Sequence, residues 1–309
     1  MLEVCGLKKT YVTGTFHKHR TNAIDGVSFY VHKGETFGIV GESGCGKSTL
    51  GRCILRLTEP TEGRIVFDGT EISSIDRESM RKVRPRMQMI FQDPDSSLNP
   101  RKTIGKSIAE PLRIKGFERE VIERKVSELV RHVGLLPEHV DRYPHQLSGG
   151  QNQRAVLARA IALEPDFIVA DEPTASLDVS VQAQILNLLK QLKKEYGLTM
   201  LFISHDLDLM KHMCDRIAVM YMGKIIETAY TGDIFESPLH PFTRLLLEGH
   251  ENDIEQEDCI VDMKEGCGFY KYCPLRSEKC SCKTPQPREI SNGHFVACHN
   301  VISPGQYKD

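Results

Sequence analysis

The sequence predicts an α/β fold, a largely parallel β-sheet covered by helices on both faces. Short apolar runs at Thr36–Val40, Phe167–Asp171 and Thr199–Ile203 read as buried strands. Helical stretches separate them; in Val181–Leu192, the residues Val181, Ile185, Leu188, Leu189 and Leu192 form one apolar stripe. The first run leads through a glycine-rich loop into a helix, so a strand, a loop and a helix follow each other within twenty residues or so.

The chain has 309 residues, enough for one large domain with an appendage or for two domains. With 40% hydrophobic and 27% charged residues, its composition is that of an ordinary globular protein. A net charge of -2 leaves no electrostatic footprint for nucleic acid, and the basic run Arg81, Lys82, Arg84, Arg86 reads as a solvated face. No apolar run approaches the roughly 18 residues that span a bilayer, and Met1–Tyr11 has no apolar signal core. The chain is therefore expected in the cytoplasm, with other subunits spanning any membrane it serves.

Taken in order, Val27–Val31 and Arg64–Phe67 read as strands, the second followed by the hairpin-turn pair Asp68-Gly69. Thr36–Val40 is the strand before the glycine loop, and Lys47–Leu57 the helix after it. Met87–Gln92 reads as another strand. From Asp93 to Arg142 the pattern is helical, punctuated by Pro94, Pro100, Pro111 and Pro137, as an insertion into the sheet. Gly150–Leu163 reads as a helix. After about Thr231 proline and cysteine become more frequent.

Gly41-Glu42-Ser43-Gly44-Cys45-Gly46-Lys47-Ser48 fits the P-loop pattern G-x-x-x-x-G-K-[ST], with Thr49 next in the same nucleotide-binding stretch. Its glycines let successive N–H groups turn toward phosphates, and the helix N-terminus adds partial positive charge. Lys47 is expected to reach the β- and γ-phosphates of ATP, and Ser48 to ligate Mg²⁺. Asp171 ends an apolar strand, where a parallel sheet presents ligand-binding groups, and is expected on Mg²⁺. Glu172 follows it as the candidate general base on the attacking water.

Leu147-Ser148-Gly149-Gly150-Gln151, followed by Gln153 and Arg154, resembles the signature motif of the ATP-binding-cassette (ABC) family. The resemblance implies a P-loop cassette with a RecA-like parallel core, an antiparallel β edge and an inserted helical subdomain. It also implies a head-to-tail dimer in which Ser148, Gly149, Gly150 and Gln151 serve the nucleotide held by the other subunit. Four further elements resemble the family in order. Gln92 looks like the glutamine that senses Mg²⁺ and water, Ser176-Leu177-Asp178 like the D-loop, and His205 like the switch histidine at the γ-phosphate. Tyr11 looks like the aromatic that stacks on adenine, with Phe16 a rival. The likeness covers about residues 1–230, with the helical subdomain at about 94–154 and a Cys-rich C-terminal extension over 231–309.

Met87-Gln88-Met89-Ile90-Phe91-Gln92-Asp93-Pro94, Ser96-Ser97-Leu98-Asn99-Pro100-Arg101 and Pro238-Leu239-His240-Pro241-Phe242-Thr243 resemble the oligopeptide/dipeptide importer ATPases, closer to their F-type than their D-type. That likeness implies a heterodimer with a D-type ATPase subunit, two membrane permease subunits and, indirectly, an extracellular solute-binding protein, with the chain peripheral on the cytoplasmic side of the cell membrane. Nickel and glutathione importers share the pattern. A soluble ABC ATPase acting on nucleic acid or ribosomes is the alternative; a single cassette and no basic stripe argue against it.

Of ten cysteines, six (Cys259, Cys267, Cys273, Cys280, Cys282, Cys298) lie near the C-terminus, a clustering that suggests metal binding. The spacing Cys267-x₅-Cys273-x₆-Cys280-x₁₇-Cys298 lacks the close pair usual in zinc ribbons. Four thiolates select iron–sulfur or zinc, and the family resemblance implies a [4Fe–4S] cluster on Cys267, Cys273, Cys280 and Cys298, with Zn²⁺ as the alternative. Cys282 rivals Cys280, and Cys259 is spare.

Overall fold

The fold is that of a computed structural model, which describes residues 1–14, 19–249 and 266–301. Phe16 and Cys259 lie outside the described residues. The chain begins with β1 (Leu2–Thr13), β2 (His19–Val31), β3 (Thr36–Val40), α1 (Lys47–Ile54), β4 (Glu62–Phe67) and β5 (Thr70–Glu71). Its middle forms α2 (Arg77–Val83), β6 (Met87–Ile90), α3 (Pro94–Ser97), α4 (Ile104–Lys115), α5 (Arg119–His132), α6 (Gly149–Ile161), β7 (Phe167–Asp171) and α7 (Val179–Tyr196). Then come β8 (Thr199–Ile203), α8 (Leu207–Met213), β9 (Arg216–Tyr221), β10 (Lys224–Tyr230), α9 (Thr231–Glu236), α10 (Pro241–Leu247), α11 (Glu278–Cys282), β11 (Arg288–Ser291) and β12 (His294–Val296).

These elements fall into two compact units, one of Met1–Val31, Thr36–Ser74 and Phe202–Asp309, the other of His32–Glu35 and Ile75–Leu201. The first unit holds an antiparallel sheet in the order β2-β1-β4-β5. Leu2, Val4 and Leu7 of β1 are buried, but register shifts after Val4 and Leu7 break the alternation that would announce a strand. The Asp68-Gly69 turn closes the β4–β5 hairpin, with φ of 50° and 79°, as two-residue hairpins require.

The same unit carries strands in the order β11-β12-β10-β9-β3, with β8 beyond β3. β3 runs parallel to β9, while β10, β11 and β12 join antiparallel, so this sheet is mixed rather than purely parallel. Every residue of β3 and β9 is buried, which is why both read as unbroken apolar runs. Phe37 stacks on Phe29 at 5.0 Å, and the Arg216 guanidinium lies 4.5 Å from the Tyr30 ring and 5.2 Å from the Phe37 ring.

A buried carboxylate organises the C-terminal elements of this unit. Glu227 on β10 is 1% exposed and accepts hydrogen bonds from Leu239 N (2.7 Å) and His240 N (2.8 Å). Its Oε1 also lies 2.7 Å from His294 Nε2 on β12. His240 caps α10 by accepting from Phe242 N at 3.0 Å. Burial pushes its pKa down to about 4, against the opposing charge of Glu227.

In the second unit β6 runs parallel to β7, and Thr199 N at the start of β8 donates to Asp166 O at 3.0 Å. The expected helical block is several short elements: α3, α4 and α5, with a 3-10 turn at Pro137–Asp141. Thr103 caps α4 and Gly116, at φ 86°, closes it; Pro111 is accommodated inside. The strand expected over Met87–Gln92 stops at Ile90, ahead of the helix that starts at Pro94. α6 begins one residue early, at Gly149, because Ser148 is its cap. The basic run Arg81, Lys82, Arg84, Arg86 is exposed, as a solvated face. Among the described residues no helix is long and apolar enough to cross a membrane.

Candidate active site

In the first unit the P-loop lies between β3 and α1. A Cβ at Gly41 would come within 2.0 Å of Met220 O, and one at Gly46, where φ is 106°, within 2.0 Å of Ala23 O. Backbone from two other strands thus packs where side chains would be, and only glycine allows the cradle. Gly46 caps α1 without a side-chain hydrogen bond, leaving first-turn N–H groups to a ligand. Lys47 is buried and donates to Gly41 O and Glu42 O, each at 2.7 Å, which holds its ammonium on the loop. Ser48 and Thr49 follow in the first turn, while Ser43 and Gly44 are exposed. Burial raises the Cys45 thiol above its ordinary value, and the neighbouring Lys47 charge opposes this. The cradle fits a magnesium-bound triphosphate in its donor chemistry, backbone N–H groups with one lysine and one hydroxyl.

His205, also of this unit, is exposed in the turn between β8 and α8, flanked by Asp206, which caps α8 by accepting from Leu209 N (3.1 Å). Tyr11 is exposed on β1, with Lys9 Nζ 5.0 Å from its ring centroid.

The second unit holds Asp171, Glu172 and the stretch Leu147–Gln151. Asp171 is buried at the end of β7. Glu172 has φ 46°, a left-handed conformation that costs a residue with a side chain about 1–3 kcal/mol and persists only where the surroundings impose it. Gln92, past the end of β6, donates through Nε2 to Glu172 Oε2 at 2.9 Å. Ser148 and Gln151 form a reciprocal cap of α6: Ser148 Oγ accepts from Gln151 N (3.3 Å), and Ser148 N donates to Gln151 Oε1 (2.9 Å). A Cβ at Gly149 would lie 3.3 Å from Leu177 Cδ2, and one at Gly150 2.5 Å from Val181 Cγ1. The signature glycines therefore also let α6 approach the D-loop and α7. Asp178 caps α7, accepting from Val181 N at 2.9 Å, and that bond, with one from the Ser180 hydroxyl at 2.8 Å, holds its carboxyl below its ordinary pKa.

Sequence reading did not foresee what Gln153 does. Its side chain is 0% exposed, and Nε2 donates to Pro173 O at 2.6 Å. Only its place beside the signature singled it out. Gln182 is similar, donating to Thr174 Oγ1 at 3.3 Å.

The cysteine expectation is met only in part. Cys267, Cys273, Cys280 and Cys298 do come into one neighbourhood: Cys267 N donates to Cys280 O at 2.8 Å, and burial pushes the Cys267 thiol up to about 11, with Cys298, Cys273 and Cys280 adding to the rise. Cys282 is exposed and its thiol turns to the carbonyls of Glu278 and Lys279. Yet among the described residues no group of three or more His, Cys, Asp or Glu is arranged to hold a metal ion. Cys280 Sγ is engaged locally, by Ser277 Oγ (3.4 Å) and Asn300 Nδ2 (3.5 Å).

Comparison with known proteins identifies the chain. The ABC transporter family matches residues 24–175, and the oligopeptide/dipeptide transporter C-terminal region matches residues 226–280. The chain is 47% identical to the oligopeptide transport ATP-binding protein OppF of Bacillus subtilis, over 96% of each chain. The chain belongs to the ABC transporter ATP-binding family. As an ABC ATPase it is also 44% identical to AppF, the oligopeptide transport ATP-binding protein of the same organism, over 97% of each chain. The ABC cassette fold is that of a dimeric ATP-binding cassette solved in a post-hydrolysis state with ADP and Pi, at 31% identity and a TM-score of 0.68, covering 75% of this chain and 99% of that one. It is likewise that of cbiO1 from Clostridium perfringens, part of the ABC transporter complex cbiONQ, at 29% identity and the same TM-score, covering 82% and 98%.

Proposed function

We propose that this ABC ATPase powers the uptake of oligopeptides or dipeptides as the peripheral subunit of an importer, on the cytoplasmic face of the cell membrane. The observation that carries the reading is the succession, in one chain, of an ABC cassette and an oligopeptide/dipeptide transporter C-terminal region. In this reading residues 1–230 are the motor, with the helical subdomain at about 94–154, and the Cys-rich extension over 231–309 belongs to the peptide branch. Its partners are a D-type ATPase subunit, two permease subunits and, through them, a solute-binding protein.

Within the motor, Tyr11 stacks on adenine, and the backbone of residues 41–49 with Lys47 holds the phosphates. Ser48, Gln92 and Asp171 would hold Mg²⁺, which would supply charge neutralisation on the phosphate oxygens. Glu172 takes the proton of the attacking water, while Gln92 fixes the carboxylate through the 2.9 Å bond. His205 steadies the γ-phosphate. Ser148, Gly149, Gly150 and Gln151 present the α6 N-terminus to the nucleotide of the partner cassette, and Asp178 fixes the D-loop that crosses to it.

The extension adds a thiolate-held metal, a [4Fe–4S] cluster on Cys267, Cys273, Cys280 and Cys298 with Zn²⁺ as the alternative. The burial of Cys273, Cys280 and Cys298 and the half-burial of Cys267, with Cys282 exposed, support that ligand set. Iron and acid-labile sulfide in anaerobically purified protein, lost in Cys280→Ser and kept in Cys282→Ser, are expected. Protein with neither iron nor zinc would refute the metal.

The test of function is uptake. Cells whose only copy of the chain carries Lys47→Ala should fail to accumulate labelled di- and oligopeptides while taking up nickel and glutathione normally. Normal peptide uptake in those cells would contradict the proposal.

A further inference from the structure

We infer that Gln153 is a positioning residue for hydrolysis, holding the backbone that carries Glu172; the inference rests on the reading of Glu172 as general base. Gln153 lies on α6, one turn past the signature cap Ser148, and its side chain is fully enclosed. Nε2 donates to Pro173 O at 2.6 Å, in the buried interior. Proline offers only an acceptor there, so the orientation of the amide is fixed by its partner.

The carbonyl it grips belongs to the residue directly after Glu172. Glu172 is one of a few residues with a side chain that hold positive φ among the described residues, at 46°. Such a conformation must be imposed from outside the residue. Two other contacts help: Gln92 Nε2 holds the carboxylate itself, and Ala175 N donates to Glu172 O at 3.2 Å. The Gln153 bond adds a tie from this turn to the helix that begins with the signature. Gln153 Oε1 has no hydrogen-bond partner among the described residues, so the buried amide is only half satisfied. An apolar side chain would spare the unpaired Oε1 but strip the buried Pro173 carbonyl of its donor, so the amide's stabilising role here lies in holding that carbonyl. A shift of α6 therefore reaches the base through one hydrogen bond and one peptide unit.

Three variants of the full-length chain, in its active dimer, test this. Gln153→Leu removes the donor at similar size. Gln153→Glu keeps the shape and donates only when protonated, a form favoured by burial and by low pH. Glu172→Gln tests the base separately. Gln153→Leu should lower kcat by about 100-fold, the scale of an ångström misplacement, with the Kd for ATP unchanged. Gln153→Glu should regain activity, relative to the unsubstituted chain, as pH falls. An unchanged kcat in Gln153→Leu overturns the proposal, and so does a flat relative pH profile in Gln153→Glu or a loss of ATP affinity that accounts for the rate. If Gln153→Leu does not fold, the pH profile of Gln153→Glu decides alone; if neither folds, Gln153 is a core residue and the proposal is wrong. Undiminished turnover in Glu172→Gln sinks the base reading instead, whatever the Gln153 variants do.

Discussion

Gln92 donates a 2.9 Å hydrogen bond to Glu172, across 80 residues of sequence. The amide holds the carboxylate without adding charge. Gln92→Glu puts a second carboxylate in that place, and two like charges at such a distance raise the pKa of one of them. The acid limb of the kcat–pH profile should move to higher pH, measured by steady-state ATP hydrolysis across the acid range. Gln92→Ala should lower kcat and move that limb upward by less, because it removes the donor without adding a second charge.

Gly46 is held at φ 106° with its α-hydrogen facing Ala23 O, where a methyl group would be 2.0 Å away. Gly46→Ala must therefore open the phosphate loop. ATP binding, followed by equilibrium fluorescence titration, should be lost by at least about tenfold, and the thermal midpoint should fall because the strain is in the backbone.

Gly150 meets Val181 as α6 meets α7, with 2.5 Å between a Cβ at Gly150 and Val181 Cγ1. Gly150→Ala should cost about 1–3 kcal/mol of stability by overpacking, read from urea denaturation. Adding Val181→Ala should return part of that cost, a coupling that distant sites do not show.

His240 is neutral when folded, its pKa down at about 4 against an ordinary 6.5. The unfolded chain therefore binds the proton that the folded chain refuses. The stabilisation is complete above pH 6.5, declines as pH falls from 6.5, and is exhausted below about pH 4. The size is roughly 3 kcal/mol. Asparagine can keep the helix cap without titrating, so in His240→Asn the acid-side slope of stability should flatten, as seen by denaturation at a series of pH values.

The central elements were legible because their physics is local. Thr36–Val40, Phe167–Asp171 and Thr199–Ile203 are wholly buried strands, and continuous apolar runs announce such strands. The P-loop was legible because its glycines answer to backbone crowding and its lysine to phosphate. What stayed hidden depends on distant partners. β1 is bulged, so its alternation fails, and β9, β10 and β12 gain their place from pairing and from Glu227, which no spacing reveals. Gln153 was visible as a letter beside the signature, but its grip on Pro173 is a tertiary contact. Cys280 is buried and Cys282 exposed, while the closed metal set expected from four cysteines is not assembled among the described residues.

The most direct test of the ATPase account is hydrolysis by Glu172→Gln, measured together with ATP binding on the same preparation. The substituted amide keeps the shape of the carboxylate and can still bond to Gln92 by turning its oxygen toward it, but it cannot take a proton. Turnover should fall by about 100-fold or more while ATP is still bound and retained. Hydrolysis at the rate of the unsubstituted chain would contradict the account.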